Sequence, residues 1–300
     1  MGRNPRPVVV LGVVCALLIV LFTLTLVRTG LPQRPEPAPD ASAAAVEVQP
    51  TPGEDGFTLY CPDLGKADAF LLQSEAGAVL IDAGEDPEPV LNLLREHNVT
   101  KLDALVLSHF DKDHIGGAAA VLEQVEVRTL YRTAYVEDSE PYAALMDALK
   151  ESSTEVVTVT ETLTVTAAGA ELTLYPPLSA SYGKDEDNNA SLLAAVDAGG
   201  SSLLFAGDAL KPRVKEFLEE QYDGTQYQFL KVPHHGGETK PTALLLEAFT
   251  PRYALITASA AQPESDKLLE RLEEAGVEVL CTRMGAVTLR CQDGTIERVP

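Results

Sequence analysis

Basic residues are scarce in this chain of 300 residues, where 23 Lys and Arg stand against 45 Asp and Glu. Arg3, Arg6, Arg28 and Arg34 face only Glu36 and Asp40 in the first forty residues, which leaves 19 basic and 43 acidic residues, net −24, for residues 41–300. No run of Lys or Arg marks a groove for a nucleic-acid backbone, and a surface this acidic repels phosphate chains. Cysteine is sparse as well. Cys15, Cys61, Cys281 and Cys291 show no C-x-x-C spacing, which argues against a thiolate metal site. The last three cannot all pair with one another; Cys281 and Cys291 flank an expected hairpin and are either a disulfide or two buried thiols. Apolar residues are not lacking. At 45% they suffice for a core and exclude a disordered chain.

Long apolar runs are limited to residues 8–27, an uncharged stretch that matches the roughly 20 residues needed to cross a bilayer. Arg3 and Arg6 precede it, as in a signal segment, but no small-x-small cleavage site follows soon after Val27. The expectation is an uncleaved membrane anchor carrying an extracytoplasmic domain, with secretion after cleavage as the alternative. Arg28 and Arg34 blunt the charge asymmetry that would set the orientation. Residues 31–53 alternate proline with alanine, serine and acids, a composition that extends rather than packs. The expected organisation is therefore anchor or signal (1–30), tether (31–53) and folded domain (54–300).

Within that domain the pattern alternates short strands and helices. Strands are expected at 57–60, 69–73, 78–82, 104–107, 228–232 and 253–257, and near Val279 and Val287. The stretch 155–175 carries period-two alternation, and 192–196 with 202–206 reads as a hairpin turning at Gly199-Gly200. Helices are expected at 87–97, 118–123, 143–151, 214–220, 242–249 and 266–275. Such a pattern implies an α/β layered domain with its site on loops at strand ends.

One loop dominates. Residues 108–117 read Ser-His-Phe-Asp-Lys-Asp-His-Ile-Gly-Gly, between an apolar strand and a helix. His109, Asp111, Asp113 and His114 put four ligand-type side chains in six positions, and neutral imidazole with carboxylate suits Zn, Mn or Fe. Three further loops follow the same plan. Asp208 stands at a strand tip after Gly207, where glycine permits a sharp turn; a plain turn aspartate is the competing reading. His234-His235-Gly236-Gly237 follows the strand ending at Val232. Asn188-Asn189-Ala190-Ser191 precedes the strand at 192–196 and reads equally well as a polar turn. His97 is a helix-end residue.

Taken in order, these motifs resemble the metallo-β-lactamase-fold hydrolases. Asp63-Leu-Gly-Lys-Ala-Asp-Ala69, Leu80-Ile-Asp-Ala-Gly84, the 109–117 loop, Asn188-x-x-Ser191-Leu192, Gly207-Asp208, Lys231-Val-x-His234-His-Gly236 and Thr282-x-x-Gly285 are similar to the hydrolase domain of the ComEC/Rec2 competence-protein group, over about residues 57–298. The resemblance implies an αββα sandwich of two mixed sheets holding one or two divalent metal ions, Zn first and Mn as the alternative. It implies that His109, Asp111 and Asp208 hold one ion and that Asp113, His114 and His234 hold the other, with Asp208 between them; His235 is the competing ligand. Asp113 and His235 are the expected catalytic residues, Lys231 or His235 would meet charge on the leaving oxygen, and Asp82 would orient an imidazole. The sequence departs from the wider family at Asp111, where histidine is usual, and at 188–191, where a further ligand histidine is missing; both departures argue against lactamase activity. The 259–264 segment lacks the histidine of the group's usual late loop, and no run of several membrane helices supplies a transport channel.

Such a centre implies hydrolysis, because a bound metal lowers the pKa of its water to about 7. The expected function is cleavage of a phosphodiester, nuclease-like or on a small or wall-linked phosphoester. DNA is a candidate substrate, with high-affinity duplex binding disfavoured by the charge. The alternatives are hydrolysis of a carboxylic ester or lactone, and a binding module without turnover. Intact Asp113, His114 and Asp208 weigh against the last.

Overall fold

The computed structural model describes residues 56–299, so the expected anchor at 8–27 and tether at 31–53 lie outside the described residues. Among the described residues no helix is long and apolar enough to cross a membrane.

Fifteen strands of the described residues form two mixed sheets. The first, of eight strands, runs β15 (Thr295–Val299), β14 (Val287–Gln292), β1 (Phe57–Cys61), β2 (Phe70–Ser74), β3 (Gly77–Ile81), β4 (Lys101–Leu107), β5 (Glu126–Arg132) and β6 (Glu155–Thr158). The second, of seven, runs β13 (Glu278–Cys281), β12 (Tyr253–Ile256), β11 (Phe229–Lys231), β10 (Ser201–Phe205), β9 (Leu193–Ala198), β8 (Ala170–Tyr175) and β7 (Leu163–Ala167). Parallel pairing from β3 to β6 and from β10 to β13 requires crossover connections, which the intervening helices supply.

The strands bury both faces. Leu59, Phe70, Leu72, Val79 and Val106 of the first sheet meet Leu172, Val196, Leu203, Phe205 and Phe229 of the second in a shared core. Leu71, Leu80, Leu105 and Leu130 point the other way, against Val90, Leu94, Val121 and Leu145 of the helices Pro87–Glu96, Ala118–Gln124 and Glu140–Glu151. Leu204 and Leu230 likewise pack on Val214 and Leu245. The layers are helix, sheet, sheet, helix, as the resemblance implies.

Most expected elements are present, with instructive shifts. The alternating stretch 155–175 divides between the sheets: β6 closes the edge of the first, and β7 opens the second. The β9–β10 register places Ala198 opposite Ser201, so Gly199 and Gly200 form a two-residue turn with φ of 54° and 76°, the geometry that favours paired glycines. The helix expected at 214–220 starts at Lys211, with Pro212 in its first turn, and widens to a π-turn over Phe217–Gln221. Cys281 ends β13 in the second sheet, whereas Cys291 lies in β14 of the first. They do not flank a hairpin, and Cys61, Cys281 and Cys291 are all free thiols.

Candidate metal centre

All the candidate loops leave strands on one edge of the sandwich. β3 ends at Ile81 and delivers Asp82, β4 ends at Leu107 and delivers Ser108 and His109, β10 delivers Gly207 and Asp208, β11 delivers the two histidines, and β12 delivers Thr257. Parallel neighbours emit their loops on the same side, which is why residues far apart in sequence converge here.

The 109–117 loop is held by backbone and by its glycines. The Asp68 amide donates to Asp113 O at 3.0 Å, and the Ala83 amide donates to His114 O at 2.7 Å. A Cβ at Gly116 would fall inside van der Waals contact of the Glu85 carbonyl, and one at Gly117 inside that of Ala83. The glycine pair therefore lets the loop lie against the 82–86 turn. Gly207, at φ +52°, brings Asp208 past Ser108 and Ser191. Ser191 Oγ accepts from the Asp208 amide at 3.1 Å, and the Leu192 amide donates to Ser108 O at 2.8 Å. The 188–191 segment thus contributes a prop for Asp208.

Asp208 sits between two imidazoles. His114 Nε2 is 3.3 Å from Asp208 Oδ1, and His235 Nε2 is 3.1 Å from Oδ2. His235 Nε2 is also 3.4 Å from Asp113 Oδ2, and His109 Nε2 is 3.6 Å from Asp111 Oδ2. Among the described residues four groups have ligand atoms mutually within 4.8 Å: His109, His114 and Asp208; Asp113, His114 and His235; Asp68, Asp82 and His114; and Asp68, Asp208 and His235. Nε2 of His109, His114 and His235 and Oδ1 of Asp208 are buried without a hydrogen-bond partner. Buried polar atoms are normally paired, so four orphaned lone-pair atoms converging on one space fit a divalent cation. The donor set of imidazoles and carboxylates fits Zn or Mn.

The far sides of the rings are fully occupied. Asp82 Oδ2 lies 2.8 Å from His114 Nδ1 and accepts from Ser108 Oγ at 2.8 Å, while Oδ1 accepts from the Ser108 amide at 2.8 Å. Ser108 Oγ also contacts His109 Nδ1 at 3.0 Å. His235 Nδ1 meets Thr257 Oγ1 at 2.9 Å, and Thr257 donates to Asp68 Oδ1 at 2.6 Å. These contacts aim every free Nε2 inward, as orienting partners of metal ligands do.

Electrostatics follow from crowding. Burial opposes protonation of His114, yet Asp208, Asp82 and Asp68 outweigh it and hold its pKa well above the ordinary imidazole value. Burial likewise opposes charge on His235, and Asp208 and Asp68 push it up to about 9. Burial would raise Asp113 and Asp208, but the neighbouring histidines hold both carboxyls below the usual range. The same excess of buried carboxylate around these rings is negative charge that a bound cation would offset.

The structure separates the two adjacent histidines. His235 joins the cluster; His234, half-buried, stays outside all four three-residue groups, and its Nδ1 is unpartnered. Both residues have left-handed backbone, with φ of 50° and 53°, and the expected assignment of His234 over His235 does not match this placement. Lys231 is also not where the leaving oxygen was expected to find it. Its side chain is 0% exposed, with Nζ 2.6 Å from Asp68 Oδ2 and 3.7 Å from Asp208 Oδ1; it neutralises the cluster from beneath. Asp68 and Thr257 were not singled out from the sequence, although Asp68 falls in a matched motif. His97 stacks on Tyr60 at 3.7 Å and belongs to the surface.

A model of the Metallo-beta-lactamase superfamily matches residues 62–259. This chain belongs to that superfamily. Its relatives include the competence protein ComA of Neisseria gonorrhoeae, 26% identical over 93% of this chain and 38% of that protein. Another is ComE operon protein 3 of Bacillus subtilis, 24% identical over 78% of this chain and 32% of that protein. The chain thus spans well under half the length of these relatives. Among solved structures, the metallo-beta-lactamase fold protein YhfI of Bacillus subtilis superposes with a TM-score of 0.50 at 13% identity, over 82% of this chain and 100% of that one. The diiron β-hydroxylase CmlA of Streptomyces venezuelae gives 0.53 at 15% identity, over 79% of this chain and 54% of that one. At such identities these likenesses speak for the superfamily fold alone.

Proposed function

We propose that this metallo-beta-lactamase-superfamily domain hydrolyses phosphodiesters of small or single-stranded substrates. The observation that carries the reading is Asp208, which groups with His109 and His114 on one side and reaches His235, itself beside Asp113, on the other, so one carboxylate serves two adjacent donor sets. His109, Asp111 and Asp208 would hold one ion; Asp113, His114 and His235 would hold the other. When bound, such ions supply an activated water near neutral pH and polarise the phosphoryl oxygen.

The protein's own side chains do the rest. Asp82, Ser108 and Thr257 fix the ring orientations, so His114 and His235 present Nε2 without reorganisation. Lys231 and Asp68 form a buried pair under the floor and hold its charge constant.

The competence names of the relatives bring DNA forward as a substrate. The rim on the Asp111 side speaks for something shorter. The Glu137 carboxyl is raised by burial and then by the negative charge of Asp111 and Asp187, so acidic charge accumulates around Asp111. A long polyanion meets repulsion there, whereas a single diester group meets little.

The test is chelator-sensitive cleavage by the metal-loaded full chain of a labelled duplex, a labelled single strand, bis(p-nitrophenyl) phosphate and a neutral nitrophenyl ester, across salt. Expected is turnover of the small diester above the neutral ester, with weak duplex binding. A salt slope of several times about −0.9 per phosphate contact, with efficient duplex cutting, would restore the full nuclease reading. Turnover of the neutral ester alone would move the assignment to carboxylic esters or lactones.

A further inference from the structure

Resting on the phosphodiester reading above, we infer that Lys66 is the residue that binds the anionic phosphoryl oxygen of the substrate at the mouth of the centre. Its Nζ is 3.1 Å from Asp113 Oδ2, and the two side chains are 28% and 19% exposed. Lys66 therefore reaches both solvent and a carboxylate of the cluster. The cluster's other lysine does not, because Lys231 is sealed between Asp68, Asp208 and the Gly207 carbonyl. Its charge acts from below and cannot follow a ligand.

The position of Lys66 is built rather than incidental. Gly65 turns at φ +69° with its amide donating to Asp63 Oδ1 at 3.1 Å. Two residues on, Asp68 is pinned by its amide to Asp113 O and by its carbonyl, which accepts from the Gly84 amide at 2.8 Å. The lysine is thus carried on a short loop closed at one end by its own turn and fixed at the other against the ligand loop.

Asp113 Oδ2, the oxygen that Lys66 contacts, also faces His235 Nε2 at 3.4 Å, and Asp113, His114 and His235 would together hold a cation. A cation held there would compete with the Lys66 ammonium for this carboxylate and free the ammonium for an anionic oxygen. Asp111, by contrast, has further negative charge near it from Glu137 and Asp187. A singly charged diester would turn its non-bridging oxygen toward Lys66 rather than toward those carboxylates.

The experiment compares the full chain with Lys66→Gln and Lys66→Arg. Metal content is measured first, then binding of inorganic phosphate to the metal-loaded proteins by calorimetry, then KM and kcat for bis(p-nitrophenyl) phosphate and a neutral nitrophenyl ester. One charge-assisted hydrogen bond predicts a loss of phosphate affinity of about tenfold or more in Lys66→Gln. The diester KM should rise by a similar factor, the effect on the neutral ester should be smaller, and Lys66→Arg should recover most of the loss. Equal phosphate affinity in wild type and Lys66→Gln at equal metal content overturns the inference. So does a loss of phosphate binding that merely tracks lost metal. Should the wild type cleave no diester, the functional reading falls, while the phosphate titration still decides the role of Lys66.

Discussion

Asp82 holds His114 by a 2.8 Å contact from Oδ2 to Nδ1, and it does so from a left-handed backbone position at φ 56°. Few non-glycine residues adopt that conformation. It lets the carboxylate at the end of β3 turn back and take the Ser108 amide, the Ser108 hydroxyl and the imidazole together. Asp82→Asn is expected to weaken metal binding by about 10–100-fold, because an amide can present a donor where Nδ1–H needs an acceptor. Competition titration against a chromogenic chelator measures it; unchanged affinity would remove Asp82 from the centre.

Asp113 touches Lys66 and His235 and is only partly buried, so its removal leaves the core intact. Asp113→Asn should abolish turnover and lower metal content while unfolding stays cooperative near the wild-type temperature. Full metal with normal rate in the variant would refute its assignment as a ligand.

The neighbouring histidines make a sharper test. His235→Ala should lose more metal than His234→Ala, since His235 Nε2 faces Asp208 and Asp113 whereas His234 lies outside the groups. Mass spectrometry of the two purified variants decides it, and the opposite order would return the ligand role to His234.

Arg213 ties the prop of Asp208 to the rest of the fold. Fully buried, it donates from Nε to Ser191 O at 3.1 Å and from its terminal nitrogens to Tyr175 O at 2.7 Å, Pro176 O at 3.0 Å, Glu216 at 3.1 Å and Gln221 at 3.0 Å. Arg213→Met leaves Glu216 and three carbonyls without that donor, and should destabilise the domain by about 3–5 kcal/mol, read by denaturant titration.

Glu216 gives the same network a pH signature. Burial would raise its carboxyl, but the Leu178 amide, Tyr182, Ser179 and Arg213 hold it below its ordinary value of about 4.5. A folded-state pKa below the unfolded one contributes stability that is present above about 4.5 and lost as pH falls through the lowered value. Thermal unfolding from pH 6 to 3 should show a steeper acid-side loss in wild type than in Glu216→Gln. Parallel curves would mean that Glu216 contributes no net linkage.

The sequence by itself determined a great deal of this protein, because much of its design is local. A strand runs straight into a ligand-type side chain at Leu107–His109 and, through Gly207, at Phe205–Asp208, so both the elements and the loops that carry chemistry are legible without coordinates. Continuous apolar runs also marked the strands that bury two faces, and paired glycines marked the β9–β10 turn. What only the tertiary structure decided depends on direction and on distant partners. His234 and His235 are equivalent in composition; the left-handed backbone at both, with Thr257 and Asp68 brought together across 189 residues, aims one ring inward and leaves its neighbour outside. Lys231 and Lys66 are alike as letters, yet one lies inside a strand between two buried carboxylates and the other on a loop at the surface. The split of 155–175 between two sheets, and of Cys281 from Cys291, belongs to the same class. Strand pairing is set by nonlocal packing, which a local pattern of alternation cannot encode.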